Sequence, residues 1–139
     1  MIKKAAFTLE EYVFNRVEIN FKPNDISELQ IKIDPSGQFK RSEMGSIFML
    51  KFIFTAKTKN STSPLVLIEC NSVFKFDSNI QREEIPSFFY ANSIAIIFQY
   101  IRAFVSTVTL QANFQPIVLP TMNLSPLEEI LKNNTKDSE

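Results

Sequence analysis

Between Glu84 and Glu128 the chain carries one charged side chain, Arg102, although Lys, Arg, Asp and Glu are spread at ordinary density elsewhere. The stretch from Ile85 to Leu127 reads IPSFFYANSIAIIFQYIRAFVSTVTLQANFQPIVLPTMNLSPL. Burying apolar area is worth roughly 25 cal/mol per Å², so a segment like this must be covered. Asn92, Ser93, Gln99, Arg102 and Ser106 interrupt it too often for the expectation of a bilayer span. It is also too apolar for a helix resting on a small sheet with its other side in water. The expected cover is a further layer, supplied by another copy of the chain or by an unfolded polypeptide.

Composition narrows the remaining chemistry. At 139 residues the chain fits one domain, with residues 1–10 and 133–139 expected to be flexible. Lys plus Arg and Asp plus Glu balance at 15 each, so no broad field draws it to nucleic acid or anionic lipid. Histidine is absent, which removes the commonest general base and metal ligand at neutral pH. The lone Cys70 has no partner for a disulfide or a Cys–His nucleophile, and its apolar neighbours mark it as a small core residue. Glu10-Glu11 and Glu83-Glu84 pair carboxylates without a neighbouring base. The expectation is a protein without cofactor or metal that is not an enzyme. The N-terminus MIKKAAFTLEEY lacks the apolar run of a signal peptide, and the chain is expected to be cytoplasmic, without stable membrane insertion.

Strand-like alternation comes first along the chain. Val13, Val17, Ile19 and Phe21 share a parity against Arg16, Glu18 and Asn20. Leu29, Ile31 and Ile33 form a short second strand closed by Asp34-Pro35-Ser36-Gly37. A third strand places Phe48, Leu50, Phe52, Phe54 and Ala56 on one face. After the polar tract Thr58–Pro64, a fourth runs from Leu65 to Phe76, with Val66, Ile68, Cys70, Phe74 and Phe76 opposed to Leu67, Glu69, Asn71, Val73 and Lys75. Short links suggest an antiparallel meander with one packed face.

Helices follow. No Pro or Gly lies between Pro86 and Pro116, leaving room for a helix from about Phe88 to Ala112. Ile94, Phe98, Ile101, Val105 and Val108 line one side, and Ile96, Tyr100, Ala103 and Thr107 a second. The segment from Phe114 to Pro120 is apolar and fixed by two prolines. Ser125-Pro126-Leu127-Glu128 has the form of a capping box opening a short helix to about Lys132, before the tail NNTKDSE.

The order of these elements and several strings resemble the SecB family of protein-export chaperones. The strings are Leu67-Ile68-Glu69-Cys70 with Val73-Phe74, Ile96 through Arg102, and Phe114 through Leu124. The resemblance covers about Tyr12 to Leu131 and implies an α+β fold, a four-stranded antiparallel sheet with a long and a short helix on one face. It implies a homotetramer, a dimer of dimers, with Ile94, Phe98, Ile101, Val105 and Val108 at the oligomer interface. It also implies an ATP-independent holdase that takes unfolded or preprotein polypeptides into an apolar groove. The groove residues would be Ile26, Phe104, Phe114, Pro116, Val118, Leu119, Met122, Leu124, Leu127, Ile130 and Leu131. Leu67 and Glu69 occupy sheet positions that in the family meet the motor ATPase SecA, which makes SecA an implied partner.

Three departures stand beside this. The link Lys22 to Ser27 is shorter than the family's crossover loop, Asn71-Ser72-Val73 replaces a glycine pair, and the tail is very short. Alternatives therefore remain open: a SecB-like chaperone dedicated to one partner such as an antitoxin, a structural oligomerisation module, or a small-ligand carrier. The groove segment also reads equally as a packed connection.

Overall fold

The computed structural model describes residues 6–20, 29–58 and 62–138. Its elements are β1 (Phe7–Ile19), β2 (Leu29–Ser42), β3 (Gly45–Thr58), β4 (Val66–Phe76), a single 3-10 turn at Arg82–Glu84, α1 (Ser87–Gln111), α2 (Leu127–Asn133) and β5 (Thr135–Asp137). The strand order is β1-β4-β3-β2-β5. Only β2, β3 and β4 form a meander. β1 lies beside β4 rather than β2, and β2 stands on the far side of β3.

β3 and β4 alternate as their sequences dictate. Phe48, Phe52, Phe54, Ile68, Cys70 and Phe74 are fully buried on one face, beneath α1. Phe89 is the hub of the aromatic cluster at one end, with ring centroids 4.8 Å from Phe7, 4.8 Å from Phe48 and 5.0 Å from Phe76. The polar side chains on this face are satisfied locally: Ser46 Oγ donates to Asn79 Oδ1 at 2.7 Å and accepts from Ile80 N at 2.9 Å.

The parity expected for β1 is corrected by two bulges. The register against β4 slips between Leu9 and Glu11 and again between Phe14 and Arg16, leaving Glu10 and Asn15 as the extra residues. Each slip restores apolar side chains to the core face, where Phe7, Leu9, Tyr12, Phe14, Val17 and Ile19 stand opposite Phe76, Phe74, Ser72, Cys70, Ile68 and Val66. Val13 is turned to the outer face and is 52% exposed. Phe21 lies outside the described residues.

The break expected at Asp34-Pro35-Ser36-Gly37 is corrected too, since β2 runs through it to a turn at Glu43-Met44. Pro35 is tolerated because it has the parity of Gly37, whose N–H points away from β3 toward β5, so no β2–β3 bond is lost. The tail expected to be flexible forms β5, paired in parallel with β2 from Gly37 opposite Thr135 to Phe39 opposite Asp137. Likewise β1 begins at Phe7, within the N-terminal stretch expected to be flexible. Among the described residues the sheet therefore has five strands, and the fold is α+β with both helices packed on it.

α1 is long and apolar enough, by length and composition alone, to cross a membrane, so its polar interruptions do not exclude a span by themselves. Its buried side chains on the sheet mark it as the core helix of this domain. It ends in a Schellman motif: Phe114 N donates to Thr109 O and Asn113 N to Leu110 O, both at 3.0 Å, with Asn113 at φ 63° in the place usually given to glycine. The capping box expected at Ser125 does not form. Its hydroxyl bonds Asn123 Oδ1, and α2 starts at Leu127 behind Pro126 with Glu128 and Glu129 in its first turn.

Candidate functional site

After Asn113 the chain turns back and runs extended along α1 as a strap, from Phe114 to Leu124. Three side chains of α1 hold it. Arg102 Nη2 donates to Leu119 O at 3.2 Å, and Ser106 Oγ donates to Ile117 O at 3.0 Å. Thr109 Oγ1 accepts from Ile117 N at 3.0 Å and donates to Val105 O at 2.8 Å. Arg102, Ser106 and Thr109 are spaced four and three residues apart, so they share one helical face. The polar interruptions of the apolar segment are thus the fastenings of the strap.

Strap side chains alternate. Ile117 and Leu119 enter the core, while Val118 is 76% exposed and Pro116 and Pro120 face outward. Beside them a depression of about 280 Å³ opens between the strap and the start of β2, lined by Leu29, Ile31, Gln115, Pro116, Ile117, Val118 and Pro120. Six of these seven side chains are apolar. α2 extends the surface with Ile130, 44% exposed, and half-buried Leu127, near half-buried Met122 and Leu124.

The structure brings together only part of the expected groove. Pro116, Val118, Met122, Leu124, Leu127 and Ile130 keep accessible area, and Phe114 is half-buried at the head of the strap. Leu119 and Leu131 are corrected to core residues, 2% and 0% exposed, because the strap and α2 turn them onto the sheet. Phe104 is corrected to the opposite flank of α1, where its ring stacks on Phe14 of β1 at a centroid distance of 4.4 Å. Ile26 lies outside the described residues. Leu29 and Ile31 were missed as lining residues, since alternation shows which face a side chain takes but not that β2 is an edge. The fastenings did leave a signal, the polar i, i+4, i+7 row in an apolar helix.

Ile94, Phe98, Ile101 and Val105 are also corrected. They are 0–4% exposed within the single chain, so they have no area left for a partner copy; Val108 is half-buried. The side chains that α1 and β1 leave at the surface are Phe88, Tyr100, Leu110, Tyr12, Val13 and Val17, with Tyr12 and Tyr100 stacked at 4.2 Å. Leu67 and Glu69 stand half-buried on the outer sheet face, where Lys51 Nζ pairs with the Glu69 carboxylate at 3.3 Å. That face also holds a depression of about 410 Å³ whose lining mixes Glu11, Lys51, Asn15 and Asn71 with Val13, Met49 and Val73. Among the described residues, no three His, Cys, Asp or Glu gather as a metal site.

A single sheet bearing a long helix, a fastened strap and a short second helix defines a two-layer α+β protein with an apolar surface at one sheet edge. The family model described as preprotein translocase subunit SecB matches residues 16–130, and the chain belongs to the SecB family. An uncharacterized protein of Methanocaldococcus jannaschii is 29% identical over 149 residues, covering 98% of this chain and 94% of its own. The fold is similar, with a TM-score of 0.64 and 14% identity, to a Mycobacterium tuberculosis SecB-like chaperone solved in complex with a ChAD peptide from the HigA1 antitoxin. That match covers 85% of this chain and 88% of the other.

Proposed function

We propose that this protein is an ATP-independent holdase that keeps cytoplasmic polypeptides unfolded for export. The observation that carries the reading is the strap, an extended apolar segment whose Val118 is left 76% exposed beside the depression lined by Leu29 and Ile31. Unfolded chains expose branched and aromatic side chains between polar ones, and such a surface takes them with little demand on sequence. Binding of this kind calls for no nucleotide, metal or nucleophile.

Self-association into a homotetramer, a dimer of dimers, would multiply these surfaces and raise the avidity for a long client. It would also cover Phe88, Tyr100 and Leu110. A SecA-type motor would meet the outer face at Leu67 and Glu69, where Lys51 already neutralises the carboxylate. The test is light scattering of a chemically denatured client diluted into nucleotide-free buffer, with mass measurement in solution. Suppressed aggregation by a tetramer is expected; ordinary aggregation at several-fold excess of this protein would sink the reading.

A second reading, a chaperone dedicated to one partner such as an antitoxin, is favoured by the similarity to the Mycobacterium tuberculosis protein. Suppression confined to the product of a neighbouring gene, with no effect on unrelated denatured clients, would select it.

A further inference from the structure

β3 pairs with β2 along one whole side, from Leu29 opposite Thr58 to Ser42 opposite Gly45. On the other side, among the described residues, the chain's own C-terminus covers Gly37–Phe39. Here the odd-numbered residues of β2 turn their backbone groups to the edge: Gly37 N donates to Asn134 O at 3.2 Å, and Phe39 O accepts from Ser138 N at 2.8 Å. By the same alternation Leu29, Ile31 and Ile33 turn theirs the same way. The edge has two stretches divided at Pro35, which offers its carbonyl there but no N–H; the first is bordered by the strap and its depression, the second is occupied by β5.

β5 is weakly held. Its side chains are Thr135, Lys136 and Asp137, with no apolar group among them. Thr135 is buried, but its hydroxyl donates to Leu131 O at 2.7 Å, within the preceding helix. Asp137 pairs with Arg82 at 3.6 Å with both side chains well exposed, an arrangement of little strength. What remains is main-chain pairing and Asn134 Nδ2 donating to Pro35 O at 3.4 Å. A short polar strand of this kind blunts an edge against aggregation, and strand addition to such an edge is a recurring way to take an extended peptide.

We propose that β5 is a displaceable guard of the β2 edge. An extended, apolar-rich polypeptide adds to β2 from Leu29 and, to run past Asp34, displaces Thr135–Asp137 from Gly37–Phe39. This rests on the client-binding reading above. The guard lowers the affinity of every segment long enough to need the second stretch, leaving only the intrinsic affinity multiplied by the fraction of time β5 is away from the edge.

The test uses the full chain and its variants Lys136→Pro, which removes a donor at the centre of the pairing, and Lys136→Val, which raises strand propensity there. The probe is fluorescently labelled, reduced and carboxymethylated α-lactalbumin, and hydrogen exchange is read in parallel. Lys136→Pro is expected to bind about tenfold tighter than the native chain and Lys136→Val several-fold weaker. Saturating probe is expected to strip protection from the Lys136 and Ser138 amides while Phe52 and Ile68 keep theirs. Equal affinities, or tail amides that stay protected in the saturated complex, overturn the guard and leave client binding standing. If neither the native chain nor Lys136→Pro binds the probe, client binding itself falls, and the guard with it.

Discussion

Arg102 of α1 and Leu119 of the strap are joined by a hydrogen bond of 3.2 Å from the guanidinium Nη2 to the carbonyl oxygen. The only charge in the long apolar segment is thus aimed at the backbone of a residue that is 2% exposed. Arg102→Met keeps an apolar stem but deletes the donor. Leaving that carbonyl without a partner costs about 1–3 kcal/mol. The loss is expected to be local, with the Ile117 and Leu119 amides exchanging faster while Phe52 and Ile68 keep their protection. An equal loss of protection across the sheet would show that Arg102 supports the whole core and not the strap.

Gly37 is required by space. A Cβ built there comes within 2.2 Å of Phe48 Cζ, whose ring lies across the strand. Gly37→Ala is expected to lower stability by about 1–3 kcal/mol, because the ring must leave its rotamer. In a Phe48→Leu background the same change is expected to cost less, and the difference between the two costs measures the clash. Equal costs in both backgrounds, read by denaturant unfolding, would place the strain elsewhere.

These two residues mark where sequence reading succeeds and where it stops. The alternation of Phe48, Leu50, Phe52 and Phe54, and the run without Pro or Gly before Pro116, are local patterns; the first identified the buried face of β3 and the second placed α1 to within about a residue at each end. The string Asp34-Pro35-Ser36-Gly37 has turn chemistry, yet Pro35 and Gly37 serve an edge strand and a close ring approach, which depend on neighbours distant in sequence. The bulges at Glu10 and Asn15 exist only relative to β4. β5 has no side-chain signature because its hold is in the backbone. The second apolar side of α1 pointed to another copy of the chain, but Tyr12 and Phe14 of β1 reach Tyr100 and Phe104, so the protomer's own sheet covers part of that side.

Asn113 ends α1 at φ 63°, a conformation that Gly adopts without strain and β-branched residues resist. Asn113→Gly is expected to leave stability within about 0.5 kcal/mol, whereas Asn113→Val is expected to cost about 1–2 kcal/mol. The Val variant should also loosen the head of the strap, since the Phe114 N–H to Thr109 O bond of 3.0 Å depends on that turn. Thermal unfolding of the three proteins checks the order. A Val variant as stable as the native chain would mean that the turn can be rebuilt without a left-handed residue.

Cys70 is fully buried beneath α1, and burial pushes its thiol pKa from 9.0 up to about 11, with a hydrogen bond to the Val13 backbone acting in the other direction. At pH 8 a thiol reagent is therefore expected to label it only as fast as the fold opens. The sign of the pH dependence follows from which state holds the proton. Between about 9 and 11 the unfolded chain loses the thiol proton while the folded chain keeps it, so stability declines as pH rises through that window. The slope approaches about 1.4 kcal/mol per pH unit for one group. Burial also raises the Tyr90 phenol above 10.0, which adds to the decline at the upper end. Cys70→Ala is expected to flatten the lower part of the window and leave the Tyr90 part. Urea midpoints at pH 8, 9, 10 and 11 decide the matter, and an unchanged slope in Cys70→Ala would remove the thiol from the account.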